Sequence, residues 1–146
     1  AYPERLEGAR VLDLFAGTGA LGLEALSRGA ANCLFVEESA EGRGLIRDNV
    51  EAFGLQGRTK IFRRDATTLG HAGTIAPFNL VFADPPYGKG MAEKALKAAL
   101  DGGWLQPDAF IVVEEALSSP FQPPSGFALL DRRDYGDTCV SFCERA

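Results

Sequence analysis

What most constrains this chain is an alternation of apolar runs with amphipathic ones. "ARVLDLFAG" (9–17), "NCLFVE" (32–37), "FNLVFAD" (78–84) and "DAFIVVEE" (108–115) are apolar on both faces, as strands covered on both sides must be. "RTKIFRRD" (58–65) alternates and is expected nearer a sheet edge. Helical patterns lie between them. "ALGLEALSRG" (20–29) places Leu23 and Leu26 on one face, with Arg28 in the last turn and Gly29 as a stop. Residues 39–53 line up Ile46, Val50 and Phe53, and Gly54 ends that helix. "MAEKALKAAL" (91–100) collects Ala92, Leu96, Ala99 and Leu100 on one stripe. "FALLDRRDYG" and "TCVSFCE" read as an antiparallel closing pair. The expectation is one doubly wound α/β domain over residues 1–146, with a mainly parallel seven-stranded sheet.

In such folds a ligand sits outside the carboxyl ends of the strands. Here those ends carry Gly17-Thr18-Gly19, then Glu37, Asp65, Asp84 and Glu114-Glu115. Any one acid could simply cap the next helix. Four acid-ended strands in succession instead make an edge suited to hydroxyls, amines and cations. "GTGALG" (17–22) matches the G-x-G-x-x-G fingerprint, and Glu37 lies 20 residues beyond Gly17, the right distance to hold a ribose. By itself that pattern fits a nicotinamide or flavin oxidoreductase equally well. Asp13 separates the options, because a carboxylate within the first strand repels a pyrophosphate and attracts the ammonium of an amino-acid tail. S-adenosylmethionine combines such a tail with a ribose and an adenine. Asp13 and the glycine backbone would then face its methionine end, Glu37 its ribose, and Asp65 with Ala66 its adenine amine.

"NLVFADPPYGKG" (79–90) ends a buried strand in an acid, two prolines and a tyrosine. An exocyclic amine on a nucleobase is a poor nucleophile, since its lone pair is delocalised into the ring. Two acceptors, one for each N–H, favour the pyramidal geometry and the positive charge that develop in attack. The Asp84 carboxylate and the Pro85 carbonyl can be those acceptors. The prolines bring no competing N–H and hold Asp84 extended. Tyr87 offers a flat ring for a base rotated out of its helix. No metal is required.

"VLDLFAGTGALGLEALSRGA", "FVE", "RRDA" and "LVFADPPY" together resemble the Rossmann-like S-adenosylmethionine-dependent methyltransferases. They more closely resemble the RsmD-type bacterial enzymes that methylate the exocyclic amine of a guanine in small-subunit ribosomal RNA. Carried over by position, the resemblance implies that Asp13, Phe15, Gly17, Gly19, Glu37, Asp65 and Ala66 bind the cofactor. It implies that Asp84, Pro85 and Tyr87 act on the target base, with Pro86 and Tyr87 against it. It implies a cytoplasmic enzyme whose partner is ribosomal RNA, free or in an assembling small subunit. The family has an N-terminal helix and arm upstream of the first strand, and this chain is expected to lack it. Competing expectations are a DNA adenine-amine or protein glutamine-amide methyltransferase, a nicotinamide-dependent oxidoreductase, and a non-catalytic binding module.

Net charge bears on the partner. At −5 it weighs against a nucleic-acid surface, although Arg58, Lys60, Arg63 and Arg64 cluster, as do Arg132 and Arg133. Cys33, Cys139 and Cys143 lie in apolar stretches without metal-binding spacing and are expected to be buried thiols in a reducing compartment. His71 has no partner spacing for a metal and is expected on a loop. No apolar run approaches the ~20 residues of a membrane span.

Overall fold

The computed structural model describes residues 3–146. A short helix, α1 (Pro3–Leu6), precedes β1 (Arg10–Leu14), α2 (Ala20–Ser27), β2 (Asn32–Val36), α3 (Ala40–Ala52) and β3 (Thr59–Phe62). There follow β4 (Phe78–Ala83), α4 (Met91–Asp101), β5 (Leu105–Ala116), β6 (Phe127–Tyr135) and β7 (Thr138–Arg145). The seven strands lie in the order β3-β2-β1-β4-β5-β7-β6. The first five pair in parallel, and β7 runs antiparallel between β5 and β6. The expected architecture is therefore the one observed, with β3 at an edge. Strand order reverses between β1 and β4, where a crevice opens at the carboxyl ends.

Both faces of the sheet are covered. Leu12, Leu14, Val81, Ile111 and Val113 pack on one side with Ala92, Ala95, Leu96 and Ala99 of α4, and with Trp104 and Phe121. Val11, Phe35, Leu80 and Phe110 pack on the other with Ala25 and Leu26 of α2 and Ile46 and Val50 of α3. Neighbouring strand residues point to opposite faces, so continuous apolar runs are what this arrangement needs.

Three helix faces differ in detail from expectation. In α2 the buried residues are Gly22, Ala25 and Leu26, not the pair Leu23 and Leu26. The reason is Gly22, whose missing side chain brings the helix backbone down onto Phe35 and Cys33 of β2 and turns the stripe. Phe53 lies past the end of α3 as its C-cap and is 68% exposed. In α4 Ala95 replaces Leu100 among the fully buried positions. The long β5 carries Glu114 and Glu115 inside its pairing with β7, opposite Val140 and Cys139.

Two of the clustered arginines serve the fold. Arg58 donates to the carbonyls of Leu26, Ala30 and Ala31 at the end of α2. Arg132 donates to the Phe121 carbonyl and to Ser141, pinning the proline-rich loop onto β7. All three cysteines are buried, free thiols, and His71 is an exposed loop residue.

Candidate active site

The crevice is walled on one side by the loop that leaves β1. Phe15 adopts a left-handed backbone at φ 57°, which a bulky residue keeps only where its surroundings enforce it. Gly17 and Gly19 follow at φ 59° and 82°, and Gly19 opens α2. Glu37 ties this loop to β2: its Oε1 accepts from the Gly17 amide at 2.7 Å and its Oε2 from the Ser39 amide at 3.0 Å. Each carboxylate oxygen keeps a second lone pair, so a pair of ribose hydroxyls can still be accepted. Ser39 caps α3 through the Gly42 amide. A Cβ at Gly42 would stand 2.9 Å from the Gly17 carbonyl, so the α3 start and the glycine loop touch backbone to backbone. Beyond β3, Asp65 accepts from the amide and hydroxyl of Thr67 through Oδ1 and leaves Oδ2 without an assigned donor.

The other wall leaves β4. Pro85 is buried, whereas Asp84 and Pro86 are exposed. The turn after them is held from the antiparallel half of the sheet. Gly88 donates its amide to Glu115 Oε1 at 3.0 Å, and the Tyr87 hydroxyl lies 3.0 Å from the Thr138 hydroxyl. The Tyr87 ring stays 45% exposed. Burial raises the carboxyls of both Asp84 and Glu114 above the ordinary carboxylate range. Among the described residues no lysine or arginine forms an ion pair with Asp84.

Between these walls lies a cleft of about 600 Å³ lined by Phe15, Val36, Glu37, Glu38, Ser39, Arg64, Asp65, Ala66, Asp84, Pro85, Pro86 and Met91. Its volume is that of a small-molecule site. Four carboxylates face one guanidinium there, and Arg64 already donates to the Leu69 carbonyl. Of the expected site residues, the structure brings Phe15, Glu37, Asp65, Ala66, Asp84, Pro85 and Pro86 to this one cleft. Gly17, Gly19 and Tyr87 do not line it, although Gly17 donates to Glu37, which does, and Tyr87 follows Pro86 in the chain.

Asp13 stands apart. It is 2% exposed, beneath the start of α2, and its Oδ2 accepts from the Gly22 amide at 3.1 Å. Burial, above all, pushes its carboxyl up to about 8 from an ordinary 3.8; the Gly22 amide opposes this and the charges of Asp84 and Glu37 add to it. The folded chain thus binds a proton there that the unfolded chain releases near pH 4. Between those values each pH unit costs folding about 1.4 kcal/mol at most. The cost is absent below pH 4 and grows towards pH 8. Asp13→Asn should therefore gain stability relative to the parent as pH rises from 5 to 8, by roughly one to a few kcal/mol. Urea denaturation at the two pH values reads that difference, and an equal difference at both would contradict it.

The reversed sheet order, the glycine turn after β1 and the acid-proline turn after β4 define the Rossmann-like methyltransferase class. The chain belongs to the family described as Conserved hypothetical protein 95, whose model matches residues 2–144. Among curated relatives, YlbH of Bacillus subtilis is 35% identical over 143 residues, covering 95% of this chain and 77% of that protein. Ribosomal RNA small subunit methyltransferase D of Escherichia coli is 39% identical over 113 residues, 76% of this chain and 55% of that protein. Against that relative the chain spans about half of the length. Among solved structures, the Escherichia coli protein yhhF superposes with a TM-score of 0.87 at 30% identity, covering 99% of this chain and 81% of that one. TrmN from Thermus thermophilus gives a TM-score of 0.80 at 26% identity, covering 99% and 48%. The resemblance carried by the two motifs and the family match agree.

Sequence reasoning did not single out Gly42, Thr138 or the separate duties of Glu114 and Glu115. Strand parity was the available signal for the glutamates, since adjacent residues must face opposite ways.

Proposed function

We propose that this domain transfers a methyl group from S-adenosylmethionine to the exocyclic amine of a guanine in small-subunit ribosomal RNA. One observation carries the reading: Asp84, unpaired with any cation among the described residues, shares a cleft with Glu37 and Asp65. The cleft's chemistry fits the cofactor. Glu37 has lone pairs for ribose hydroxyls, Asp65 has a free oxygen near Ala66 for an amine, and the excess of carboxylates favours a cation. Bound there, the cofactor supplies an electrophilic methyl group.

The protein's own part is positioning and charge. Asp84 and the Pro85 carbonyl accept from the two amine hydrogens and favour the pyramidal nitrogen. Tyr87, anchored through its hydroxyl, presents an exposed ring to a base turned out of its stack. The names of the curated relatives support ribosomal RNA as the polymer. Buried free thiols support a reducing cytoplasm as the setting. Incubating the full-length protein with methyl-labelled cofactor and either ribosomal particles or naked RNA tests the reading. Label is expected in RNA, recovered as a methylated guanosine after digestion. Label in DNA or protein instead would overturn the substrate, and stabilisation by NAD rather than S-adenosylhomocysteine would overturn the class.

A further inference from the structure

A second cavity, of about 400 Å³, opens at the amino ends of the parallel strands, away from the carboxyl-end cleft. Arg10 begins β1, Asn32 begins β2, and Arg58 and Lys60 flank the first residue of β3. All four line the cavity, with Thr74 from the loop before β4. No aspartate or glutamate stands among its described lining residues, although the chain carries a net charge of −5. The two guanidiniums are held in place by backbone. Arg10 donates Nε to the Pro77 carbonyl at 3.1 Å and Nη2 to the Ala76 carbonyl at 2.8 Å, and lies 4.9 Å from the centre of the Phe78 ring. Arg58 donates Nε to the Ala31 carbonyl and Nη2 to those of Leu26 and Ala30. In each arginine Nη1 has no acceptor among the described residues. Lys60 is exposed, and none of the three cations forms an ion pair among those residues. Carbonyls orient a guanidinium without neutralising it, so three full positive charges share one cavity with no counter-charge.

We propose that this cavity binds phosphate groups of the RNA backbone, at a point remote from the guanine that enters the cleft. The phosphate chemistry rests on the cavity itself, and the choice of RNA as its source rests on the methyl-transfer reading above. A phosphate takes several charge-assisted hydrogen bonds. The two spare Nη1 groups and the Lys60 ammonium supply charged donors, and Asn32 and Thr74 supply neutral ones. Guanidiniums already fixed by carbonyls lose little further freedom when an anion arrives. The cleft is a poor place for the backbone, because Glu37, Glu38, Asp65 and Asp84 outnumber Arg64 there. Strands β1 and β2 have five residues each, a length of roughly 16 Å. One folded RNA can therefore offer its guanine at one end of the sheet and its backbone at the other. A contact that far from the reacting atoms is made equally in the ground and transition states, so it acts on KM and not on kcat. Local charge of this kind lets an acidic chain hold a polyanion.

Lys60 is the residue to vary, because its side chain holds nothing else in the fold, whereas Arg10 and Arg58 also secure backbone. Binding of small-subunit ribosomal RNA to the full-length protein is measured without cofactor across a range of salt concentrations. Lys60→Ala should weaken binding by about threefold to tenfold and lower the slope of log affinity against log salt by about one. Lys60→Glu should weaken it further, and Lys60→Arg should restore it. Lys97→Ala removes the same charge from a lysine that pairs with Asp101, and should stay within about twofold of the parent. Melting curves of each variant separate binding from folding. In steady-state methylation, Lys60→Ala should raise KM for RNA by the same factor and keep kcat within about twofold. Parental affinity and salt slope in Lys60→Glu would overturn the proposal. A second arm adds inorganic phosphate and follows the Nε–H signals of Arg10 and Arg58 by ¹⁵N NMR. Saturable shifts there, joined to parental RNA binding in Lys60→Glu, would overturn RNA as the source in favour of a small phosphate ligand. Were the parent to bind RNA through Lys60 yet methylate none, the methyl-transfer reading would fall and the phosphate site would stand.

Discussion

Asp84→Ala is expected to lower the methyl-transfer rate by about 10²-fold or more, equivalent to roughly 3 kcal/mol or more of lost transition-state stabilisation. The size follows from the proposed role of the carboxylate at the moment of attack. Accepting from the amine as that nitrogen becomes positive, and giving little to the ground state, it would lower kcat on removal while KM holds. Asp84 is exposed, follows the last residue of β4 and forms no ion pair among the described residues, so its loss leaves the core untouched. Thermal stability and cofactor affinity should stay close to those of the parent. Single-turnover transfer of labelled methyl, with a melting curve on the same sample, separates these quantities. A rate within threefold of the parent's would remove Asp84 from the chemistry.

Gly22→Ala is the substitution with the largest expected effect on stability. A Cβ there would stand 2.5 Å from Phe35 Cε1, 2.6 Å from Cys33 Sγ and 3.0 Å from Asp13 Oδ2. None of these can give way readily: Phe35 is 0% and Cys33 2% exposed. Asp13 is fixed by its bond to the Gly22 amide. Overpacking of this kind costs about 1–3 kcal/mol, a fall in Tm of about 3–10 °C for a chain of this size. Gly44→Ala is the control. It lies inside α3 with nothing within 4 Å of the added carbon, and should stabilise by about 0.5–1 kcal/mol through its higher helix propensity. Urea denaturation of the two variants should move in opposite directions. A Gly22→Ala variant as stable as Gly44→Ala would mean that α2 is not seated on β2 as described.

Much of this was legible from residues alone, for identifiable reasons. Continuous apolar runs can be satisfied only by strands buried on both faces, so the doubly wound sheet followed from "NCLFVE", "FNLVFAD" and "DAFIVVEE" without any contact being known. The acids at the strand ends were legible because parallel strands bring those ends to one edge. Gly22 was harder. As the last glycine of the fingerprint it was expected to allow close packing, but only the structure shows that it rotates the buried stripe of α2 from Leu23 to Ala25. Phe53 misled because helical spacing extrapolates past a C-cap, where the backbone turns the ring into solvent. The duties of Arg58 and Arg132 were hidden for another reason. Arg58's partners are backbone carbonyls 27 to 32 residues away, and Arg132's are a carbonyl 11 residues away and the Ser141 hydroxyl, and composition carries no record of them. Glu114 and Glu115 were visible as acids, but their division of labour depends on which neighbour lies across the ladder.

The two walls of the cleft are moored to different halves of the sheet. Glu37 fastens the glycine loop to β2, whereas Glu115 and Thr138 fasten the proline turn to β5 and β7. The halves meet along the β1–β4 ladder, whose spacing of roughly 4.8 Å is set by backbone hydrogen bonds and resists stretching. Under the proposed reading, changes in β5, β7 and their connections would therefore alter the wall that receives the acceptor, while the moorings of the glycine loop on β1 and β2 stay in place.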